Sequence, residues 1–152
     1  MTEDRTGQFL ELSALLTGFD RVSLLGTGMT DEFVGALDAV LPAGTLDELL
    51  AAHAMLPDGG DREAAAAASI LEDAKLGPVA RNVILMWYCG TWTALPDAWR
   101  TAYGTSPLDV NRVVSAMAYQ AGLQWVAAGA HPAGARQQGY GAWAQPPAGV
   151  SA

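Results

Sequence analysis

Residues 79–92 read VARNVILMWYCGTW, and this apolar run decides the fold class. Ile84, Leu85, Trp87 and Tyr88 lie close together in it, a pattern that either a buried helix or a buried strand could carry. Strands of this kind are about 4–8 residues long, so the length of the run favours a helix. The segments on either side favour the same choice, because they show helical spacing of apolar residues.

Further helices are predicted on the N-terminal side of this run. The predicted segments are residues 9–16, 31–41, 45–56 and 61–73. Thr45 and Glu48 have the spacing of a capping box that opens the third of them. The fourth is rich in alanine, the strongest helix former. Residues 22–29 are expected to form a connector, and Gly77-Pro78 is expected to end the alanine-rich helix before the apolar run.

The C-terminal side of the run predicts two more helices. The first is short and covers residues 96–103, and the second is long and runs from Pro107 to about Ala128, with Ser106 as its N-cap. No segment shows the alternation and hairpin turns typical of strands. The prediction is therefore an all-α protein, with a single small helical domain over residues 1–129.

An extended C-terminal arm, residues 130–152, is predicted to follow this domain because glycine and proline are frequent there. Tyr140 and Trp143 are its aromatic residues. Burying both would gain about 10 kcal/mol, whereas ordering the arm costs on the order of 20 kcal/mol. The arm therefore stays loose or gains further contacts on another surface. A partner protein could supply that surface; the alternative is an arm folded over its own helices.

The charge distribution points away from nucleic acid and towards a protein partner. The 152 residues carry a net charge of −8, which disfavours binding to nucleic acid and to anionic membranes. All 16 acidic residues lie at or before Asp109, and only Arg112 and Arg136 are charged after it. The first 109 residues thus have a net charge of −10 and the remainder +2. A nearly uncharged last quarter suits a surface that meets another protein.

Residue patterns for metal or covalent chemistry are not found. His53, Cys89 and His131 do not have the spacing of a zinc site, and a single cysteine in an apolar run is expected to be a buried, inert thiol. Gly26-Thr27-Gly28 lacks the third glycine and the preceding strand of a phosphate-binding loop. No catalytic, cofactor-binding or metal-binding residue is predicted in this chain.

Three groups of residues resemble one protein family. FLELSALLTG at residues 9–18 resembles the F-x-x-L-S-x-x-L-T-G opening of the small subunit of membrane-associated FAD-dependent sugar and polyol dehydrogenases, such as the sorbitol, fructose and glucose dehydrogenases. WYCG at residues 87–90 is similar to its central W-Y-x-G. The family's C-terminal signature is matched by YQAGLQW at 119–125, GAHP at 129–132 and GYGAWA at 139–144. Val126 departs from the family, in which a basic residue is common at that position.

The resemblance implies a non-catalytic, chaperone-like accessory subunit. Its partner would be a large oxidoreductase subunit of the glucose–methanol–choline type, which holds FAD and oxidises the sugar, while this chain has no cofactor. A cytochrome c subunit often takes the electrons in that family. The small subunit would support folding, flavin loading and stability of the large one. The residues expected to contact the partner are Trp87, Tyr88, Trp125, His131, Pro132, Tyr140 and Trp143.

The sequence also bears on the location of the protein and on alternative functions. The polar segment 1–5 does not resemble a signal peptide, and the apolar run over residues 83–95 is too short to span a membrane, so direct insertion is not expected. The sequence as it stands predicts a cytoplasmic protein, or an exported one if a twin-arginine leader was removed. The alternative function is a stand-alone small helical enzyme or ligand-binding domain, with Glu63, Glu72 and Asp73 facing a pocket. A third hypothesis is a sensor or scaffold domain that binds an unrelated partner through the same C-terminal arm.

Overall fold

Helices make up nearly all of the regular structure in residues 4–132, the part of the chain that the computed structural model describes. The expected all-α class is therefore confirmed. The helices are α1 (Arg5–Thr17), α2 (Arg21–Gly26), α3 (Thr30–Val40), α4 (Thr45–Ala54), α5 (Arg62–Ala66), α6 (Leu76–Cys89), α7 (Asp97–Tyr103), α8 (Ala116–Ala121) and α9 (Leu123–Ala127). A π-helical turn, Ala67–Leu71, continues α5.

The apolar run of residues 79–92 forms the C-terminal part of α6, around which the core is built. Trp87 is buried there, stacked on Phe9 of α1 at 6.2 Å between ring centroids and meeting Phe33 of α3 edge-on at 4.9 Å. The helix ends where Gly90 adopts a left-handed conformation, with φ of +67°. The choice of helix over strand for this run is confirmed up to Cys89; Thr91 and Trp92 form a strand.

The connector predicted over residues 22–29 is wrong, because α2 occupies most of it. Asp20 caps this short helix: its Oδ1 accepts the backbone N–H of Ser23 at 2.8 Å. An aspartate three residues before a serine N–H is a common helix start. Leu24 is the buried residue of α2, whereas Val22 and Leu25 are exposed.

Two predicted signals at helix ends are also wrong, although α4 begins at Thr45 as expected. Thr45 is buried and makes no capping hydrogen bond, and the carboxylate of Glu48 instead lies 2.6 Å from Lys75 Nζ, so no capping box forms. Gly77-Pro78 does not end the alanine-rich helical segment, which stops at Leu71, but lies in the first turn of α6, where proline is tolerated. Gly77 is needed there, since a β-carbon on it would stand 2.4 Å from the carbonyl oxygen of Leu71.

The long helix predicted from Pro107 to Ala128 does not form. Ser106 Oγ accepts the N–H of Leu108 at 3.2 Å and so caps a turn. The chain then forms strand β2 (Arg112–Val113), which pairs antiparallel with strand β1 (Thr91–Trp92), a short ladder that no alternating pattern in the sequence indicates. Only after this two-stranded ladder do the short helices α8 and α9 follow, with a bend at Gly122 between them.

A buried carboxylate explains the irregular course of this region. Asp109 is 3% exposed, and its Oδ1 accepts hydrogen bonds from Trp92 Nε1 at 2.8 Å and from the N–H of Leu95 at 3.0 Å. These bonds join segments that are 17 and 14 residues apart in the chain. A straight helix through Asp109 would move its carboxylate away from these two donors and leave them buried without an acceptor. The long-range hydrogen bonds therefore override the local apolar pattern.

Candidate docking surface

An uncharged, apolar surface lies at the C-terminal end of the described chain. Residues 113–132 contain no Asp, Glu, Lys or Arg. Several large apolar side chains of this segment are exposed, and two more come from α2. They are Val22, Leu25, Val113, Met117, Tyr119 and Val126. We call residues 113–132 together with residues 22–26 of α2 the C-terminal surface.

A groove runs between α2 and α9 within this surface and has a volume of about 370 Å³. Phe19, Ser23 and Thr27 line one side, and Trp125, Val126 and Pro132 are among the residues on the other. None of the described residues that line it is Asp, Glu, Lys or Arg, and His131 is the titratable one among them. We call this cavity the α2–α9 groove. Its mostly apolar lining and its size are typical of sites that accept an apolar group.

Trp125 holds α9 against α8. Its Nε1 donates a hydrogen bond to the carbonyl oxygen of Tyr119 at 2.9 Å, and the two rings meet edge-on with centroids 5.5 Å apart. The N–H of Ala130 donates to the carbonyl oxygen of Trp125 at 2.7 Å, after Gly129 turns the chain with φ of +65°. The indole is half-buried, so Trp125 both builds the groove wall and leaves part of its ring on the surface.

Tyr88 connects this surface to the first helix. Its hydroxyl donates to the carbonyl oxygen of Thr17 at 2.7 Å, and its ring packs edge-on against Phe19, with centroids 5.9 Å apart. Phe19 in turn lines the groove. Trp87 differs from its neighbour, because it is 1% exposed and lies among core aromatics. The Trp87 ring is therefore inaccessible to a partner in the folded chain. Trp87 supports the surface only through its packing in the core.

The last two described residues also belong to the groove. His131 is exposed, and its Nδ1 lies 3.2 Å from the carbonyl oxygen of Pro132, while Pro132 itself is buried against the lining. Four predicted contact residues, Tyr88, Trp125, His131 and Pro132, thus lie in or behind one surface. Tyr140 and Trp143 lie outside the described residues.

The contribution of α2 to this surface is not predicted by the sequence. Val22 and Leu25 were assigned to a connector, yet the Asp20-x-x-Ser23 spacing is a recognisable capping signal. The signal was not enough to show that α2 would meet residues about 100 positions later in the chain, because nothing local specifies that contact.

A second, more polar cavity lies between α1, α4 and the start of α5 and has a volume of about 340 Å³. His53 is 6% exposed there, and its Nε2 lies 3.2 Å from a guanidinium nitrogen of Arg62. Arg62 has only donors, so Nε2 accepts and the imidazole is neutral. Burial lowers the pKa of His53, the positive charge of Arg62 lowers it further, and Glu11 acts in the opposite direction.

The other candidate acids do not form a shared site. Glu63 lies at a cavity whose other lining residues, such as Leu15 and Leu71, are apolar. Asp73 accepts the N–H groups of Lys75 and Leu76 at 2.8 and 2.7 Å and so caps the start of α6. Within residues 4–132, no group of three His, Cys, Asp or Glu side chains is arranged to hold a metal ion. No helix of the described chain is both long and apolar enough to cross a membrane.

The chain was compared with protein-family models, curated proteins and solved structures, and none of them matches. What the fold and the surface define is a small helical domain with an uncharged, apolar face at its C-terminal end.

Proposed function

We propose that this chain is a non-catalytic accessory subunit that binds the FAD-containing catalytic subunit of a sugar or alcohol dehydrogenase. In that role it supports folding, flavin loading and stability of the larger subunit. The observation that carries the proposal is the C-terminal surface, since the segment that most resembles the family's signature is also the uncharged, apolar face of the domain.

Physical chemistry supports a docking role for this surface. The centre of a protein interface is depleted of charged side chains and enriched in aromatic residues and Met, as residues 113–132 are. Val126 is an exposed apolar side chain at the edge of an apolar groove, and such features often mark interaction sites. Tyr119 and Trp125 supply partly exposed aromatic rings whose positions are already set by their contact with each other. Little side-chain order would then be lost on binding.

The resemblance in the sequence implies the kind of partner. It would be a large oxidoreductase subunit of the glucose–methanol–choline type that holds FAD, with a cytochrome c subunit as a further component. This chain would contribute no cofactor and no catalytic residue. It would act where that flavoprotein acts, in the cytoplasm or, if the chain is made with a twin-arginine leader, after export.

Co-expression tests the proposal directly. A candidate flavoprotein of the glucose–methanol–choline type is produced with the chain, without it, and with the chain truncated after Gly129. We expect FAD content and turnover of the flavoprotein to be high only with the full chain, and the two polypeptides to co-purify. If the flavoprotein loads FAD and turns over equally well alone, the proposal fails.

A stand-alone ligand-binding domain or small enzyme is the second candidate. The observation that favours it is the cavity in which buried, neutral His53 contacts Arg62, because a histidine of lowered pKa in a cavity is a common feature of active sites. Under this alternative, the isolated chain would show turnover or a ligand-induced rise in melting temperature, and no flavoprotein would co-purify with it.

A further inference from the structure

We infer that α5 and the turn before it form a flap that mild acid releases from α4, and that the contact between His53 and Arg62 is the switch. We call residues 57–66, which comprise this turn and α5, the α5 flap. The inference does not depend on the proposed function, because it concerns α4 and α5 and not the C-terminal surface.

Few apolar contacts hold the α5 flap to the rest of the domain. Ala66 is the buried residue of α5, and the small side chain of an alanine removes little apolar area from water. Cavities border α5 towards α4 and towards α1, with volumes of about 470 and 200 Å³. A segment with so little buried apolar surface opens at a lower free energy than the core around α6.

The backbone at both ends of α5 can accommodate such an opening. Gly59, with φ of +103°, and Gly60 precede the helix, and a β-carbon on either would have no neighbour within 4 Å. At its other end α5 passes into the π-helical turn Ala67–Leu71, and turns of this kind are frequent at functional sites. These two places can therefore act as hinges.

A polar contact joins the α5 flap to α4. One guanidinium nitrogen of Arg62 lies 3.2 Å from Nε2 of buried His53, and another lies 3.2 Å from Oδ1 of Asp58, which belongs to the flap itself. Arg62 can only donate, so the contact with His53 requires a lone pair on Nε2. A proton on Nε2 removes that lone pair and places two positive charges side by side. Protonation of His53 therefore breaks the contact.

The charges around His53 set the direction of the switch. Burial and then the charge of Arg62 lower the pKa of His53, and Glu11 of α1 acts against them. Glu11 is paired with Arg21 at 2.7 Å, and the residues of the π-helical turn are uncharged. When the flap opens, burial and Arg62 both lose their effect, so the open form binds a proton more tightly than the closed form. Acid therefore favours the open form.

Opening of the flap uncovers side chains of the α4 region. Leu50 and His53 lie in the polar cavity between α1, α4 and α5, and Leu56 lies in the cavity between α4 and α5. Access of solvent or of a ligand to these two cavities thus depends on pH. The closed form is favoured above about pH 6.5, the ordinary pKa of histidine.

Hydrogen exchange of the full chain at pH 7 and pH 5 tests the inference. A helix as short as α5 is unstable alone, so its amides lose protection when the flap detaches. The chain has two histidines, and exposed His131 provides the matched control. His53→Gln keeps an acceptor for Arg62 but does not titrate, whereas His131→Gln leaves the switch intact. Circular dichroism verifies the fold of each variant, and exchange rates are corrected for the intrinsic effect of pH.

We expect the amides of residues 62–66 to be at least about tenfold less protected than those of α6 and to respond little to low urea, since a local opening exposes little surface. In the wild type and His131→Gln, their protection should fall at least about threefold from pH 7 to pH 5, because the open form binds the proton more tightly. His53→Gln should show no such fall. Arg62→Met lacks the contact, so these amides should be at least about threefold less protected than in the wild type at pH 7.

Three results would overturn the inference. If α5 and α6 are equally protected and equally sensitive to urea, α5 opens only when the whole domain unfolds. If the wild type shows no pH response in α5, or His53→Gln retains it, His53 is not the switch. If Arg62→Met leaves the protection of α5 at pH 7 unchanged, the contact does not hold the flap, and this result decides the question even where His53→Gln does not fold.

Discussion

Gly122 lies directly against the main-chain carbonyl oxygen of Tyr88, so close that a β-carbon on Gly122 would stand 2.6 Å from that atom. This contact seats the turn between α8 and α9 on the C-terminal end of α6. The C-terminal surface therefore depends on a backbone approach that only glycine allows.

Gly122→Ala should displace the turn between α8 and α9 from α6 and so disturb this surface. The added methyl group meets backbone atoms that cannot rotate away, so we expect a loss of about 1–3 kcal/mol in the free energy of unfolding. Denaturant unfolding measures the loss, and hydrogen exchange should show that it is concentrated in residues 116–127. Gly35→Ala in α3 is the control, because its added β-carbon would have no neighbour within 4 Å and an alanine is favoured inside a helix. Equal stability of the two variants would contradict the prediction.

Gly90 and Gly18 provide a matched pair of helix ends. Both end a helix in the left-handed conformation, with φ of +67° and +77°, so alanine brings similar backbone strain to each. Only at Gly90 would the new β-carbon also meet backbone, at 2.4 Å from the carbonyl carbon of Ala118. We expect Gly90→Ala to lower the unfolding free energy by at least about 1 kcal/mol more than Gly18→Ala. Equal losses in urea titrations would show that α8 does not depend on this contact.

Asp109→Ala should destabilise the loop between α7 and α8. It leaves Trp92 Nε1 and the N–H of Leu95 buried without their acceptor, at a cost of about 2–4 kcal/mol for the two donors. Asp109→Asn keeps an acceptor oxygen in the same place and should lose clearly less. Thermal unfolding followed by tryptophan fluorescence compares the two variants. An asparagine variant as unstable as the alanine variant would mean that the charge, and not the pair of hydrogen bonds, stabilises the site.

Stability should fall on mild acidification because of His53. Its pKa in the folded chain is below the ordinary value of 6.5, so the unfolded chain binds more protons between the two values. The contribution of His53 to stability is therefore complete above about pH 6.5 and is lost as the pH falls towards the folded pKa. His53→Gln, which can still accept from Arg62, should remove this slope from a plot of unfolding free energy between pH 7 and 5. An unchanged slope would show that titratable groups other than His53 cause the pH dependence of stability.

Truncation after Gly129 should separate folding from binding. The shortened chain keeps every helix of the described structure, so we expect an unchanged helical circular dichroism spectrum. It loses His131, Pro132 and the segment beyond them, and we expect it to lose co-purification with the flavoprotein. The full-length double variant Tyr140→Ala, Trp143→Ala distinguishes the loss of aromatic side chains from the loss of chain length. Retained co-purification of the truncated chain would exclude the arm as the binding element.

Much of the fold was predictable because its signals are local. Apolar spacing identified α1 and α3, and the length of the run at residues 79–92 identified α6. The errors lie where local signals compete with distant contacts. Residues 107–128 have the apolar spacing of one helix, yet Val110, Val113 and Met117 are exposed, because Asp109 and Gly122 hold the chain in another path.

The candidate site was predictable in part for the same reason. Its lack of charge and its aromatic residues are properties of composition, and Tyr88, Trp125, His131 and Pro132 were named from motifs. Their arrangement was not predictable, and neither was the burial of Trp87, since a tryptophan next to a tyrosine on a helix can face the core or the solvent. Which of the two rings is buried depends on Phe9 and Phe33, from other helices.

The sequence by itself determined that this chain is helical, that its acidic residues end at Asp109, and that its last part is apolar and uncharged. These properties follow from side-chain type and from contacts within a few residues. Only the tertiary structure decided that α2 and α9 enclose a groove and that the chain bends at Gly122. Those features come from hydrogen bonds and backbone contacts between distant segments, whose free energies exceed the small local preferences that a sequence pattern reports.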